Sequence, residues 1–177
     1  GSWGDAACFS FHPLKNLHAY GDAGIMVSNS QSLINKIKRN KNHGLVNRDH
    51  CKNWGYNCKL DELQASLLRI NLNQLNKWTV KRRKLAFRYN KLLAKYVDVP
   101  KEGSGEFHVY HTYVVQANNR DKLLSYLRKN GVEANVHYPT PIHLQPAAKY
   151  LKYNKKSFPN TYRLSKKILS LPLYPGM

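Results

Sequence analysis

Acidic side chains are scarce in this 177-residue sequence: 10 Asp+Glu stand against 29 Lys+Arg, for a formal net charge of +19. Long apolar runs are also missing. The longest are short stretches such as Ile25-Met26-Val27, so no segment reads as a membrane-spanning helix. The opening residues lack the basic-then-apolar pattern of a secretory signal. Cysteine is sparse, and the odd set Cys8, Cys51 and Cys58 argues against a disulfide framework, so a reducing, cytoplasmic setting is expected. Internal repeats and low-complexity tracts are lacking as well, which excludes a solenoid. Positive charge is what the chain has in excess, and it directs attention to polyanions or phosphorylated ligands. With 20 lysines and 9 arginines spread along most of the chain, the charge alone selects no function.

Hydrophobic patterning predicts an α/β chain. Residues 7–11 read as a short strand, followed by a loop with Pro and Gly punctuation through Gly24 and a second strand over residues 25–28. Asn29-Ser30 precedes a helix expected over residues 31–41. Residues 42–59 are irregular, polar and aromatic. Leu60, Leu63, Leu67, Ile70 and Leu75 then recur at helical spacing, and a second stripe runs from Trp78 through Leu85, Tyr89, Leu92 and Tyr96. Together they predict one long helix, bent or broken around residues 76–79, with core packing as the role of both stripes. After a connector at residues 100–105 the pattern changes to β-α-β. A strand is expected over residues 109–116, a helix over 120–130 stopped by Asn130-Gly131, and a strand over 132–137. A Pro-rich loop, a short helix, a helix over about residues 160–169 and a terminal loop complete the prediction. Two lobes with a boundary near residue 100 follow.

The segment from Cys8 to Gly24 carries the chemistry. A lysine on a loop directly after an apolar strand can be held partly out of water, where its amine becomes available to condense with an aldehyde. Lys15 occupies that place. Ser10 lies five residues earlier, at the strand end, where a hydroxyl can meet a phosphate.

Phe9-Ser10-Phe11-His12-Pro13-Leu14-Lys15, followed by Gly21-Asp22-Ala23-Gly24-Ile25-Met26-Val27, resembles the cofactor-lysine segment of the DegT/StrS-type sugar-nucleotide aminotransferases. Three further blocks follow in the same order, the last of them in two segments. Asn42-His43-Gly44-Leu45 is similar to the family's His-Gly loop. Gly55-Tyr56-Asn57-Cys58-Lys59-Leu60-Asp61-Glu62-Leu63-Gln64-Ala65 is similar to its Gly-Tyr-Asn-x-Arg-Leu-Asp-Glu-Leu-Gln-Ala signature. His137-Tyr138-Pro139-Thr140-Pro141-Ile142-His143 and Leu169-Ser170-Leu171-Pro172-Leu173-Tyr174-Pro175 are similar to its C-terminal lobe.

The resemblance implies an incomplete aminotransferase fold type I. Residues 1–100 would be the end of the large domain, which binds pyridoxal 5'-phosphate (PLP), with its long linking helix. Residues 101–177 would be most of the small αβ domain. It implies that Lys15 bonds the cofactor and shuttles the substrate proton, and that Ser10 binds the cofactor phosphate. Asn57, with Lys59, would reach the phosphate of a neighbouring subunit in a homodimer with shared active sites. His137 and His143 would lie near the sugar-nucleotide entrance. The implied reaction moves an amino group, with L-glutamate as the expected donor, to a nucleotide-linked ketosugar for cell-surface polysaccharide or antibiotic-sugar synthesis.

Three residues at two places depart from the family pattern. Lys59 stands where an arginine is usual, and a lysine cannot offer the two-pronged planar contact to phosphate. Asp22-Ala23 stands where Glu-Gly is common. Family members are also about twice as long, so this chain is expected to be a piece that binds the cofactor poorly without the rest of the large domain.

The same residues bear on other functions. A basic nucleic-acid-binding domain would use Lys36-Ile37-Lys38-Arg39 and Lys81-Arg82-Arg83-Lys84, but no helix-turn-helix, RNP or OB signature accompanies them. Zinc binding by His43, His50, Cys51 and Cys58 fits no common ligand spacing. A catalytically inactive split or decayed fragment of the aminotransferase remains an alternative at the level of sequence.

Overall fold

The computed structural model describes residues 2–177. Its chain divides into two compact units, one ending at Asn76 and the other beginning at Lys77.

The first unit opens with β1 (Ala7–Ser10) and β2 (Gly24–Val27), paired antiparallel with Ala7 opposite Val27 and Ser10 opposite Gly24. A side chain at Gly24 would bring a Cβ to 3.0 Å from the Phe9 carbonyl oxygen, so glycine permits this close pairing. A two-stranded ribbon cannot bury both of its faces, and Phe9, Ile25 and Val27 remain 45%, 48% and 39% exposed. Helix α1 (Gln31–Asn40) starts where expected, because the Ser30 hydroxyl accepts from the Leu33 amide. Lys38 and Arg39 in its last turn complement the negative end of the helix dipole.

Residues 42–59 form a folded loop with two isolated bridges, Asn42 with Asn57 and Leu45 with Cys51. Gly44 has φ +75°, and a Cβ there would collide with the Asn53 backbone, so only glycine fits the crossing. Helix α2 (Glu62–Leu72) and helix α3 (Leu75–Leu93) take the place of one long helix. The break falls at residues 73–74 rather than at 76–79. There the Asn73 and Gln74 amides donate to Ile70 and Asn71, three residues back, which tightens the turn and ends α2.

The second unit adds β3 (Tyr113–Gln116), α4 (Arg120–Lys129), α5 (Pro159–Ser165) and β4 (Ile168–Leu171). β3 and β4 pair antiparallel, with Val115 opposite Leu169. The core comprises Ala86, Tyr110, Tyr113, Val115, Ala134, Leu169 and Leu173, with Leu85, Tyr89 and Leu93 of α3 packed against it. At about 1.5–3 kcal/mol for each large apolar side chain withdrawn from water, this cluster is the main stabilising feature of the unit. Of the second stripe, Leu85 and Tyr89 pack with the C-terminal half, whereas Leu92 and Tyr96, expected in the core, are 54% and 72% exposed, as are Leu63 and Ile70 of the first stripe at 70% and 62%.

Three expected elements differ. The strand over 109–116 shortens to 113–116, because Tyr110 adopts φ +44° and its amide donates to His108 Nδ1. The expected strand over 132–137 contributes only one bridge, Asn135 with Ser170. Its neighbouring groups are used elsewhere: the Val132 amide donates to Leu127, and Arg128 donates to the Ala134 carbonyl. The helix over 160–169 stops at Ser165, and Ile168-Leu169-Ser170-Leu171 becomes a strand because β3 offers it a partner edge.

Several arginines have structural work. Arg83 makes a two-pronged ion pair with Glu102, and Arg82 donates to the carbonyls of Tyr110, His111 and Leu173. Arg39 donates to Asn53. Lys81, Lys84 and Arg88 are exposed on α3. Among the described residues, no helix is long and apolar enough to cross a membrane.

Candidate active site

Lys15 lies in the loop that joins β1 to β2, and that loop is tied down along its length. The Phe11 amide donates to Ala23, the Lys15 amide to His12, and the Ala19 amide to Phe11, each at 2.8 Å. His18 Nδ1 meets the Lys15 carbonyl at 3.2 Å, and Ala19 is fully buried. The turn therefore fixes the Lys15 backbone while leaving its side chain half-buried. No hydrogen bond or ion pair engages the Lys15 amine among the described residues.

Two side chains of α2 brace this loop. Asn71 Nδ2 donates to the His18 carbonyl at 2.8 Å, and Gln64 Oε1 accepts from the Tyr20 amide at 2.8 Å. Gln64 also abuts Gly21, where a Cβ would come within 3.3 Å of its Nε2. Sequence reasoning did not single out either amide. Their spacing of seven residues, two helical turns on one face, was the available signal. Gln64, the last residue of the Asp-Glu-Leu-Gln run, thus acts with Asn71 as a brace for the lysine loop.

Ser10 ends β1 and is exposed. Its Oγ accepts from the His12 amide at 3.3 Å, which leaves the hydroxyl proton free to be donated to a phosphate oxygen. A half-buried, unengaged primary amine in the loop and a strand-end hydroxyl donor five residues earlier in the chain are a donor set that suits an aldehyde cofactor bearing a phosphate.

Asn57 and Lys59 sit on the 42–59 loop, both exposed. Asn57 is held opposite Asn42, and the Cys58 amide donates to Lys41. No hydrogen bond joins Asn57 or Lys59 to Ser10 or Lys15 among the described residues. Of His43, His50, Cys51 and Cys58, none belongs to a metal-binding cluster among the described residues.

His137 and His143, both in the second unit, have different surroundings. His137 is exposed and borders a cavity of about 610 Å³ with Tyr138, Pro141, Ile142 and Leu164. Its Nδ1 lies 2.9 Å from Ser170 Oγ. His143 is 8% exposed, does not line that cavity, and packs its ring 4.8 Å from that of Phe158. The structure thus gives His137 a ligand-accessible setting and His143 a core setting. Burial also raises the Tyr89, Tyr110 and Tyr113 phenols, the last to about 12, with neighbouring tyrosines adding to the Tyr113 shift.

Comparison with known proteins shows the family and the fold. The model of the DegT/DnrJ/EryC1/StrS aminotransferase family matches residues 1–177. The chain is 40% identical, over its whole length, to a protein of Geobacillus stearothermophilus named pleiotropic regulatory protein, covering 49% of that relative. It is 35% identical to UDP-N-acetyl-3-dehydro-alpha-D-glucosamine 3-aminotransferase of Acidithiobacillus ferrooxidans, covering all of this chain and 48% of that one. Among solved structures, S. venezuelae DesV superposes with a TM-score of 0.91 at 34% identity, over 97% of this chain and 47% of DesV. NtdA of Bacillus subtilis, solved with bound cofactor PMP, gives 0.87 at 29% identity, over 99% of this chain and 42% of that chain. The chain spans about half the length of the curated relatives it matches, and its fold corresponds to about half of an aminotransferase of fold type I. With the family model matched from the first residue to the last, and the lysine loop built as described, this chain belongs to the DegT/DnrJ/EryC1/StrS aminotransferase family.

Proposed function

We propose that this chain is the lysine-bearing portion of a pyridoxal-phosphate-dependent aminotransferase whose amino acceptor is a nucleotide-linked ketosugar. The observation that carries this reading is the braced loop that holds Lys15 half-buried with its amine unengaged. When bound, pyridoxal phosphate supplies an aldehyde and an electron-withdrawing ring able to take an amino group from a donor and pass it on.

The residues divide the remaining work. Lys15 Nζ would hold the cofactor through its aldehyde and, once displaced by the amino group of the donor, would move a proton on and off the substrate carbon. Ser10 donates its hydroxyl to the cofactor phosphate. Asn57 and Lys59 serve the phosphate site of a second subunit, which fits their exposure on a rigid loop away from hydrogen-bond contact with Ser10 and Lys15. His137 faces the ketosugar nucleotide, and the basic surplus favours approach of its diphosphate. L-glutamate is the proposed donor. Further protein of the large domain would cover Phe9, Ile25 and Val27 and complete the cofactor site.

Several relatives carry names that support the acceptor class. Examples are dTDP-3-amino-3,4,6-trideoxy-alpha-D-glucose transaminase of Streptomyces venezuelae, 34% identical, and UDP-2-acetamido-2-deoxy-3-oxo-D-glucuronate aminotransferase of Pseudomonas aeruginosa, 33% identical. The test uses the full-length protein that contains these residues. Borohydride reduction followed by digestion should place the reduced cofactor on Lys15. A panel of UDP- and dTDP-linked 3-ketosugars with L-glutamate should yield 2-oxoglutarate and an aminosugar. A reduced adduct on any other lysine overturns the reading.

A further inference from the structure

Ser170 presents an anomaly for a strand residue. It lies in the middle of β4, is 6% exposed, and is followed in the strand by Leu171 and preceded by the fully buried Leu169. Serine gains little from such a position, since burying a hydroxyl is unfavourable unless it is hydrogen-bonded. Its backbone is locked on both sides. The Ser170 amide donates to Asn135 at 2.7 Å, the Asn135 amide donates back at 3.0 Å, and Val114 lies opposite in β3. The side chain has one partner among the described residues, His137 Nδ1 at 2.9 Å.

Hydrogen-bond accounting assigns the direction of that bond. A hydroxyl carries one proton, and a buried one needs an acceptor. If His137 Nδ1 donated to Ser170 Oγ, the serine proton would have no acceptor among the described residues. Donation by the hydroxyl, with Nδ1 accepting and the ring proton on Nε2, is the arrangement that gives the serine proton an acceptor among the described residues. Because Nδ1 is engaged, Nε2–H is the ring group left for a ligand on the exposed side of His137.

We propose that Ser170 is a positioning residue: it holds His137 in the Nε2–H tautomer, so that the ring presents a hydrogen-bond donor to an acceptor oxygen of the substrate. That oxygen is a carbonyl, hydroxyl or diphosphate oxygen of the ketosugar nucleotide. This part rests on the reading of His137 as a substrate-side residue. Ser170 itself touches no substrate; it works through the imidazole, from a strand too well paired to shift.

The test uses the full-length protein with 15N-labelled histidine, the His137 signals being assigned by their loss in His137→Gln. Wild-type protein is expected to show an unprotonated Nδ1 and a protonated Nε2. A protonated Nδ1 with an unprotonated Nε2 overturns the proposal without need of any variant. Ser170→Ala should mix the two tautomers, and Ser170→Thr, which keeps the hydroxyl, should restore the Nε2–H form.

In kinetics, Ser170→Ala should lower kcat/KM for the ketosugar about 2- to 10-fold, the worth of one ordinary hydrogen bond. On the His137→Gln background the same substitution should have no further effect. An equal loss on both backgrounds would make Ser170 merely structural and refute the proposal. If His137→Gln leaves kcat/KM unchanged, the substrate-side reading of His137 fails, while the 15N shifts still decide the Ser170 pairing.

Discussion

Replacing Asn71 with alanine removes one of the two α2 side chains that brace the lysine loop and changes no residue of that loop. In the native protein Asn71 Nδ2 donates to the His18 carbonyl at 2.8 Å, and Asn71 is 7% exposed. The substitution leaves a partly buried carbonyl without its partner, at a cost of about 1–3 kcal/mol. The other ties of the loop remain, so the loss should appear as local opening rather than as global unfolding. That energy corresponds to an open state about 5- to 150-fold more populated. The Ala19 amide reports it directly, because Ala19 is fully buried, adjoins His18, and donates to Phe11. Hydrogen exchange on the full-length protein should show Ala19 exchanging faster by that factor, with the β4 amides unchanged. Cofactor affinity should fall by no more than the same factor, since the closed loop remains the binding state. Unchanged Ala19 exchange would show that Asn71 does not brace the loop. Equal acceleration in β4 would show that the effect is global, and either result refutes the reasoning.

Two further predictions concern the second unit. Leu169→Ala truncates a fully buried core residue and should destabilise the unit by about 2–5 kcal/mol, read as a lower urea midpoint with an unchanged slope. Tyr113 should make stability fall at alkaline pH. Its folded-state value of about 12 lies above the ordinary 10.0, so its contribution is fully present below pH 10 and is lost as pH rises through 12. Tyr113→Phe should make that fall shallower in a plot of urea midpoint against pH, leaving the part due to the raised Tyr89 and Tyr110 phenols, and persistence of the full slope would contradict it.

Local chemistry was legible in the chain itself. The Ser30 cap, the helical stripe of α2, and the placing of Lys15 on a loop directly after a strand all depend on neighbours within a few residues, and these neighbours are written in order. The four ordered blocks placed Ser10, Lys15 and Asn57 in a family pattern for the same reason. What the sequence could not display was pairing between distant segments. Ile168–Leu171 has no strong preference of its own, and it is a strand because β3, more than fifty residues earlier, supplies the edge it pairs with. Residues 132–137 alternate apolar and polar as a strand does, yet form one bridge, because Arg128 and Leu127 use the neighbouring groups.

The candidate site divides in the same way. The type and order of its residues came from the sequence. The brace from Gln64 and Asn71, the separate surroundings of His137 and His143, and the bond from Ser170 to His137 came only from the tertiary structure. Each of these joins or separates groups by long-range backbone placement, and a side chain's hydrogen-bond partner is decided by which backbone arrives beside it, not by its position in the chain.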